Sequence, residues 1–321
     1  MKYSDCPLYS LQSKKRLCYL LNITNKDFLK QDYVSSLVEP FVKTTAKPRL
    51  IEPSRDDLKA IQKRIKNALG KIIVPENVFS GVKGRSYVDN AFFHVSDRLI
   101  YLYKIDFTAF FPSISREKVY RFFNDELCCS PDIAEILSNF TTIDLAKSTL
   151  KDPISVYEFL SSKKVKCYNH LISGAPTSQI LSYLVNHAMF DEIQSLADKY
   201  SITMTVYVDD ITFSCTHKIS HKFKERILQI IKKYNYQVSR NKTKYYLKKY
   251  PKLVTGVIIS ANGQMTIKNA LRRKIIMEHN YLREHPDDTV SRKRLQGLII
   301  AARQIQNDAY PTIYKFAFEK S

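Results

Sequence analysis

At 321 residues the chain is long enough to bury a sizeable core and to form one to three subdomains. Its 51 Lys and Arg against 31 Asp and Glu leave a formal net charge of +20. That balance points to a polyanionic partner, most commonly nucleic acid, with a basic ribosome-associated or membrane-surface protein as the alternative. No apolar run approaches a membrane span, Met1-Lys2-Tyr3-Ser4-Asp5 opens no signal-peptide core, and the six scattered cysteines form no Cys-x-x-Cys pair; membrane, exported and structural-zinc classes are disfavoured and a cytoplasmic location is expected.

Residues 1 to about 45 read as helical and moderately basic. Lys47 to Pro53 reads as a short extended segment, because proline excludes helix at both ends. Asp56 to Leu69 has the pattern of an amphipathic helix, with Leu58, Ile61, Ile65 and Leu69 on one face and Lys59, Lys63, Arg64 and Lys66 on the others. Asn90 and His94 are four residues apart, which on a helix places them on one face. Leu99 to Ile105 is a strand-like run that stops at Asp106, followed by Phe107-Thr108-Ala109-Phe110-Phe111-Pro112-Ser113. Pro176 suits a first helical turn, and Ile180, Leu181, Leu184, Val185, Ala188 and Met189 continue as one apolar stripe. The amide of Gly174 and the hydroxyls of Thr177 and Ser178 then fall at a helix start, where phosphate is favoured.

Next come two β-prone runs, Ile202 to Tyr207 and Ile211 to Phe213, flanking Asp209 and Asp210. The pattern is a hairpin with acids at its tip. Adjacent carboxylates disfavour joint ionisation unless a cation sits on them, and a hard cation such as Mg²⁺ takes oxygen ligands. Two-metal phosphoryl transfer needs a further acid at the end of another buried strand, and Asp106 occupies such a place. Asp56-Asp57 and Asp287-Asp288 are also adjacent acids, but neither follows a strand-like run. Residues 220 to 234 read as a helix beneath the sheet. Arg240, Lys242, Lys244, Tyr245, Tyr246, Lys248, Lys249, Tyr250 and Lys252 make a tyrosine-laced basic stretch that suits nucleic acid. Val254 to Ser260 reads as a buried strand. Ile267 to Leu282 and Ser291 to Gln306 read as helices with basic faces that include Arg272, Arg273, Arg292 and Arg294.

These residues carry a family resemblance. Ile105 to Ser113 resembles motif A of bacterial reverse transcriptases, Ser173-Gly174-Ala175-Pro176-Thr177-Ser178 motif B, Tyr207-Val208-Asp209-Asp210 motif C, and Asn241-Lys242-Thr243 the end of motif D. Asn90-Ala91-Phe92-Phe93-His94 and Val254-Thr255-Gly256 are similar to two signatures of retron reverse transcriptases. The resemblance implies an α+β right-hand polymerase: fingers over 1–98 with part of 130–172, an antiparallel palm over 99–262 with helices behind it, and a helical thumb over 263–321. It implies two Mg²⁺ ions on Asp106, Asp209, Asp210 and the Phe107 carbonyl. It makes Lys242 a proton donor to pyrophosphate, Arg49 a triphosphate contact and Phe111 a gate against the ribose 2′-hydroxyl. Ser173 and Gly174 would line the nucleotide. Asn90, His94, Lys244, Lys248, Lys249, Val254, Thr255, Gly256, Arg272, Arg273, Arg292 and Arg294 would meet RNA.

The implied activity is copying of a dedicated noncoding RNA into a covalent RNA–DNA hybrid (msDNA) from dNTPs, in phage defence alongside a separate effector protein. The alternatives are another bacterial defence reverse transcriptase without msDNA, or a non-catalytic RNA-binding scaffold. Two departures stand out: Ser173 where the family has Gln, and Val208 where Ala is commoner.

Overall fold

The computed structural model describes residues 1–45 and 47–318. The chain opens with α1 (Lys14–Leu21) and α2 (Gln31–Ser36). Ser13 caps α1 by accepting from the Arg16 amide, and Asn22 ends it at φ 51°, a left-handed conformation that Asn tolerates. The expected helical character stops after α2: Phe41–Lys43 forms β1, paired antiparallel with β2 (Arg49–Ile51). A three-residue strand is too short to show a period of its own.

α3 (Asp56–Leu69) buries Leu58, Ile61, Ile65 and Leu69, the face read from the sequence, and adds Gln62. The Gln62 NH₂ donates to the Phe140 carbonyl at 2.9 Å, which offsets part of the cost of its burial. α4 (Tyr87–Phe92) starts at a reciprocal Ser86 and Asp89 capping box. After β3 (Tyr101–Asp106) come α5 (Arg116–Arg121), the almost wholly buried α6 (Pro131–Thr141), β4 (Thr142–Asp144), α7 (Pro153–Ser162) and β5 (Asn169–Leu171). β4 and β5 pair antiparallel, and α7 packs against β1 and β2.

The apolar stripe expected to run through Met189 on one helix is divided between α8 (Ser178–Leu184) and α9 (His187–Lys199). Asn186 breaks it: its amide donates to the Ser182 carbonyl at 2.9 Å and its side-chain oxygen accepts from the Tyr236 hydroxyl at 2.6 Å. Both polar ends of a buried Asn are thereby satisfied, at the cost of helix continuity.

β6 (Thr203–Tyr207) and β7 (Asp210–Cys215) form the expected hairpin. They are followed by α10 (His221–Lys233) and β8 (Lys244–Tyr246). The central antiparallel sheet has the order β6-β7-β3-β8. α10 covers one face, with Phe223 edge-on to Phe213 at 5.3 Å between ring centroids. The other face carries Thr205, Thr212 and Ser214, and the segment after α4 covers it through His94.

Val254 to Ser260 is not one strand. β9 (Lys252–Val254) and β10 (Val257–Ile259) pair antiparallel, with Val254 opposite Val257. Thr255 (φ 43°) and Gly256 (φ 95°) make the turn between them. β11 (Met265–Ile267) completes a three-stranded sheet, and α11 (Asn269–Glu284), α12 (Thr289–Ile305) and α13 (Pro311–Phe318) follow.

One large apolar core spans the chain from Cys6 to Tyr236. A second gathers Val254, Val257, Ile259 and Ile267 with Ile275, Leu295, Ile299 and Ala317, and takes Val88 and Ala91 from α4. The β9-β10-β11 sheet thus packs with the C-terminal helices. Of the unit expected over 263–321, residues 319–321 lie outside the described residues. The expected α+β class holds, and among the described residues no helix is long and apolar enough to cross a membrane.

Candidate active site

Strand register brings the acids together. Asp106 ends β3 directly opposite Asp210, which starts β7. Val208 and Asp209 form the two-residue turn between Tyr207 and Asp210. Val208 takes φ 56° there, a region that a β-branched residue enters only under strain. The Asp209 carbonyl accepts from the Phe107 amide at 3.0 Å, which ties the turn to the segment leaving β3. One ligand atom from each of Asp106, Asp209 and Asp210 lies within 4.8 Å of the others.

Three acids so close must be compensated. The Lys242 ammonium donates to both Asp106 oxygens, at 2.8 and 3.1 Å. The Lys104 ammonium lies 2.7 Å from Asp210. Among the described residues Asp209 has no such partner: burial, then the charges of Asp106 and Asp210, push its carboxyl up to about 6. Burial also raises Asp210, with Lys104 opposing. The Asp210 Oδ1 oxygen is buried without a hydrogen-bond partner among the described residues. An all-oxygen donor set with an orphaned carboxylate oxygen and excess negative charge fits a hard divalent cation. The Phe107 carbonyl, expected to join the set, receives no backbone hydrogen bond among the described residues. Lys104 was not anticipated, although its place two residues before Asp106 puts both side chains on one strand face.

The expected nucleotide contacts lie on separate elements. Arg49 is exposed on β2 with no ion-pair partner among the described residues. Phe111 is half-buried in the turn after β3, beside a buried Phe110 that stacks on Phe107 at 4.7 Å. The Ser173 amide donates to Glu52 Oε2 at 2.6 Å, and the Glu52 amide donates to the Ser173 carbonyl at 3.0 Å. Gly174 takes φ 110° with open space around it. Thr177 and Ser178 do not present hydroxyls to a ligand: both are buried, and Ser178 donates to the Ile172 carbonyl at 2.5 Å.

The expected RNA contacts divide sharply. Asn90 and His94 are enclosed by protein, at 0% and 2% exposure, so direct contact with RNA is corrected to a structural role. His94 is hydrogen-bonded to Ser214 Oγ at 2.7 Å and Thr205 Oγ1 at 2.8 Å. Burial drives its pKa down to about 3, which keeps the ring neutral. Thr255 donates to the Tyr87 carbonyl at 2.7 Å and accepts from the Asn90 amide at 3.3 Å. The two signature segments therefore touch one another. Val254 is fully buried in the second core, which corrects its assignment to RNA as well.

Lys244 is exposed on β8, while Lys248 and Lys249 lie over the rings of Tyr101 and Tyr250 at 5.4 and 5.3 Å. Lys252 is buried and donates to the Lys248 and Tyr250 carbonyls, closing its own loop rather than facing RNA. Arg273 is exposed without an ion-pair partner among the described residues. Arg272 donates to the Ile267 carbonyl, Arg292 to the carbonyls of Phe316 and Pro286, and Arg294 pairs with Glu278 at 3.0 Å.

Comparison with known proteins agrees with the geometry. Residues 40–263 match the family described as reverse transcriptase (RNA-dependent DNA polymerase). Similar curated proteins include the retron Ec83 reverse transcriptase of Escherichia coli, 27% identical over 82% of this chain and 81% of that protein. The retron Se72 reverse transcriptase of Salmonella heidelberg is 25% identical over 75% of this chain and 59% of that protein. The retron Mx65 reverse transcriptase of Myxococcus xanthus is 26% identical over 80% of this chain and 58% of that protein. The chain therefore spans less than two thirds of the last two relatives.

Proposed function

The chain belongs to the reverse transcriptase family as a retron-type RNA-directed DNA polymerase, and on that premise we propose that it copies a dedicated structured RNA into a covalent RNA–DNA hybrid (msDNA) in phage defence, alongside a separate effector protein. The observation that carries the catalytic reading is the meeting of Asp106, Asp209 and Asp210 at one end of the central sheet. Two Mg²⁺ ions held by these carboxylates and the Phe107 carbonyl would lower the pKa of the attacking hydroxyl and neutralise the triphosphate.

The protein's own groups do the rest. Lys104 and Lys242 offset the negative charge of the acidic cluster. Lys242 carries a proton beside Asp106, from where it serves as donor to the leaving pyrophosphate. Arg49 takes the triphosphate, the Ser173-Gly174 turn lines the nucleotide, and Phe111 closes the space beside the sugar 2′-carbon. In right-hand terms the central sheet is the palm, β1, β2, α3 and α7 belong to the fingers, and α11 to α13 form the thumb that grips the duplex. Exposed Lys244, Lys249 and Arg273 and half-buried Lys248 contact phosphate.

Asp209→Asn tests the site. DNA synthesis should fall to background while RNA affinity and the folded state persist, because the lost charge serves a cation rather than the core. Normal hybrid DNA from the purified variant would overturn the assignment.

A further inference from the structure

Among the described residues, Glu52 and His170 are the most deeply enclosed charged pair: neither side chain is exposed at all. His170 Nε2 lies 2.9 Å from Glu52 Oε1, and its Nδ1 lies 3.0 Å from the Cys167 carbonyl. A carbonyl can only accept, so Nδ1 carries a proton, and a carboxylate partner draws a second proton onto Nε2. Burial opposes this charge, but the charge and hydrogen bond of Glu52 outweigh it and leave the His170 pKa raised. The other carboxylate oxygen of Glu52 accepts from the Ser173 amide at 2.6 Å, and the Glu52 amide returns a bond to the Ser173 carbonyl at 3.0 Å. Both backbone groups of Ser173 are thus held by one residue.

The pair joins segments that are far apart in sequence. Glu52 follows β2 directly, three residues after Arg49. His170 is central in β5 and bridges Ser115, while the Leu171 amide donates to the Ile114 carbonyl at 2.9 Å. Ile114 in turn closes the short helical turn that begins at Phe111. Ser173 leads into Gly174. The strand of Arg49, the turn of Phe111 and the turn of Ser173 and Gly174 therefore share one buried fastening. Apolar residues of similar volume would often fill such a site at equal or better stability. What an ion pair with fixed hydrogen-bond directions adds is relative placement.

We propose that Glu52 and His170 are a positioning pair for the incoming-nucleotide site, setting the Ser173-Gly174 turn against the strand of Arg49 before the nucleotide arrives. The inference rests on the assignment of Arg49, Phe111 and Ser173 to the nucleotide. Neither member of the pair touches the reacting atoms. Their effect is on how well a dNTP is bound, not on the carboxylate chemistry.

The test is steady-state extension of an annealed primer on a generic template by the full chain, with dNTP varied. Glu52→Ala should raise the dNTP KM by about tenfold or more, since small misplacements of binding groups are costly, while kcat and template affinity stay within about threefold. Glu52→Gln should recover most of the loss. Its side-chain oxygen can accept from the Ser173 amide, and its NH₂ can donate to a neutral His170. A folded Glu52→Ala with wild-type KM overturns the proposal, and so does equal damage from Gln and Ala. A uniform fall in kcat, KM performance and template affinity overturns it too, since that marks general loosening. If Glu52→Ala does not fold, Glu52→Asp decides. It keeps the charge but is one methylene too short to reach Ser173 and His170 together, so its KM should rise, and an unchanged KM overturns the pair. Arg49→Ala separates the two readings. If it leaves KM unchanged, the nucleotide-site assignment fails. If it raises KM beside a normal Glu52→Ala, only the positioning pair fails.

Discussion

His94 shows what a single side chain does away from the chemistry. Its folded pKa of about 3 lies far below the ordinary value of 6.5, because burial penalises the charged ring. The unfolded chain takes up a proton as pH falls below 6.5, and the folded chain does not. The stability that His94 contributes is therefore complete above pH 6.5 and is lost as pH falls toward 3. At pH 5 the loss is about 2 kcal/mol, from roughly 1.5 pH units at 1.36 kcal/mol each. His94→Asn should be less stable than wild type at pH 7.5, since it leaves a hydroxyl of Ser214 or Thr205 unpaired, but the gap should narrow by that amount at pH 5. Denaturant titrations of both proteins at both pH values check this. Asp209 titrates in the opposite sense, but it is common to both proteins and cancels in the difference. A constant gap would mean that the ring is not held neutral. Phe111 belongs to the same scale. On the proposed assignment of Phe111 to the nucleotide site, Phe111→Ala should admit ribonucleotides during extension, because removing its half-buried ring would open space beside the sugar. A folded variant that still excludes ribonucleotides would leave Phe111 as a core residue. The three acids were legible in the sequence because Asp106 ends a strand-like run and Asp209 and Asp210 lie between two such runs. Glu52, His170 and Lys104 were not, since single polar residues carry no period and their partners are distant along the chain.

Among elements, the β9–β10 hairpin and α4 carry the clearest lesson. Val254-Thr255-Gly256-Val257 reads as strand because Thr and Val are β-prone, yet it turns within two residues, both at positive φ. Asn-Gly or Asp-Gly is the usual signal for such a turn. Thr255 has a β-branched side chain at φ 43°, and its hydroxyl bonds to Tyr87 and Asn90 compensate the strain. That compensation lies 165 residues or more away in sequence, so no local pattern could disclose it. The same limit applies to the break between α8 and α9, where the Tyr236 hydroxyl that bonds Asn186 lies 50 residues away. α3, α10 and the β6–β7 hairpin were legible because their apolar residues repeat at helical or strand spacing. Thr255→Val keeps the shape and removes the hydroxyl, so it should destabilise the protein by about 1–3 kcal/mol through the unpaired Tyr87 and Asn90 groups. On the proposed retron reading, it should also impair use of the cognate RNA more than extension of a generic primer, because α4 and the hairpin would no longer hold a fixed relation. Equal loss in both reactions would assign the turn to the polymerase body alone.

Over the whole molecule, the net charge of +20 sets the long-range behaviour. Composition disclosed a polyanionic partner, but it could not say which cations remain available for one. The structure divides them by what each side chain already holds. Arg292 lies against the Phe316 ring and donates to two carbonyls, so it ties α12 to α13 and to the loop before α12. Lys252 is buried within its own loop. Arg273 is exposed on α11 with no ion-pair partner among the described residues. Cations that neutralise phosphate release counterions, and each contact contributes about −0.7 to −0.9 to the slope of log affinity against log salt. RNA binding should therefore weaken steeply between low and moderate salt, and a flat response would contradict a basic nucleic-acid groove. The two arginines should then separate. Arg273→Ala should lower the slope by about 1 and weaken binding to all RNA sequences alike, with stability unchanged. Arg292→Ala should leave the slope nearly intact but lower thermal stability, because two carbonyls lose their donor and α13 loses its tether. Salt titrations of RNA affinity and thermal melts on the two variants measure both quantities. If Arg292→Ala takes the larger bite from the slope, the guanidinium held in the fold is also a phosphate contact, and the face presented to RNA turns from α11 toward the α12–α13 junction.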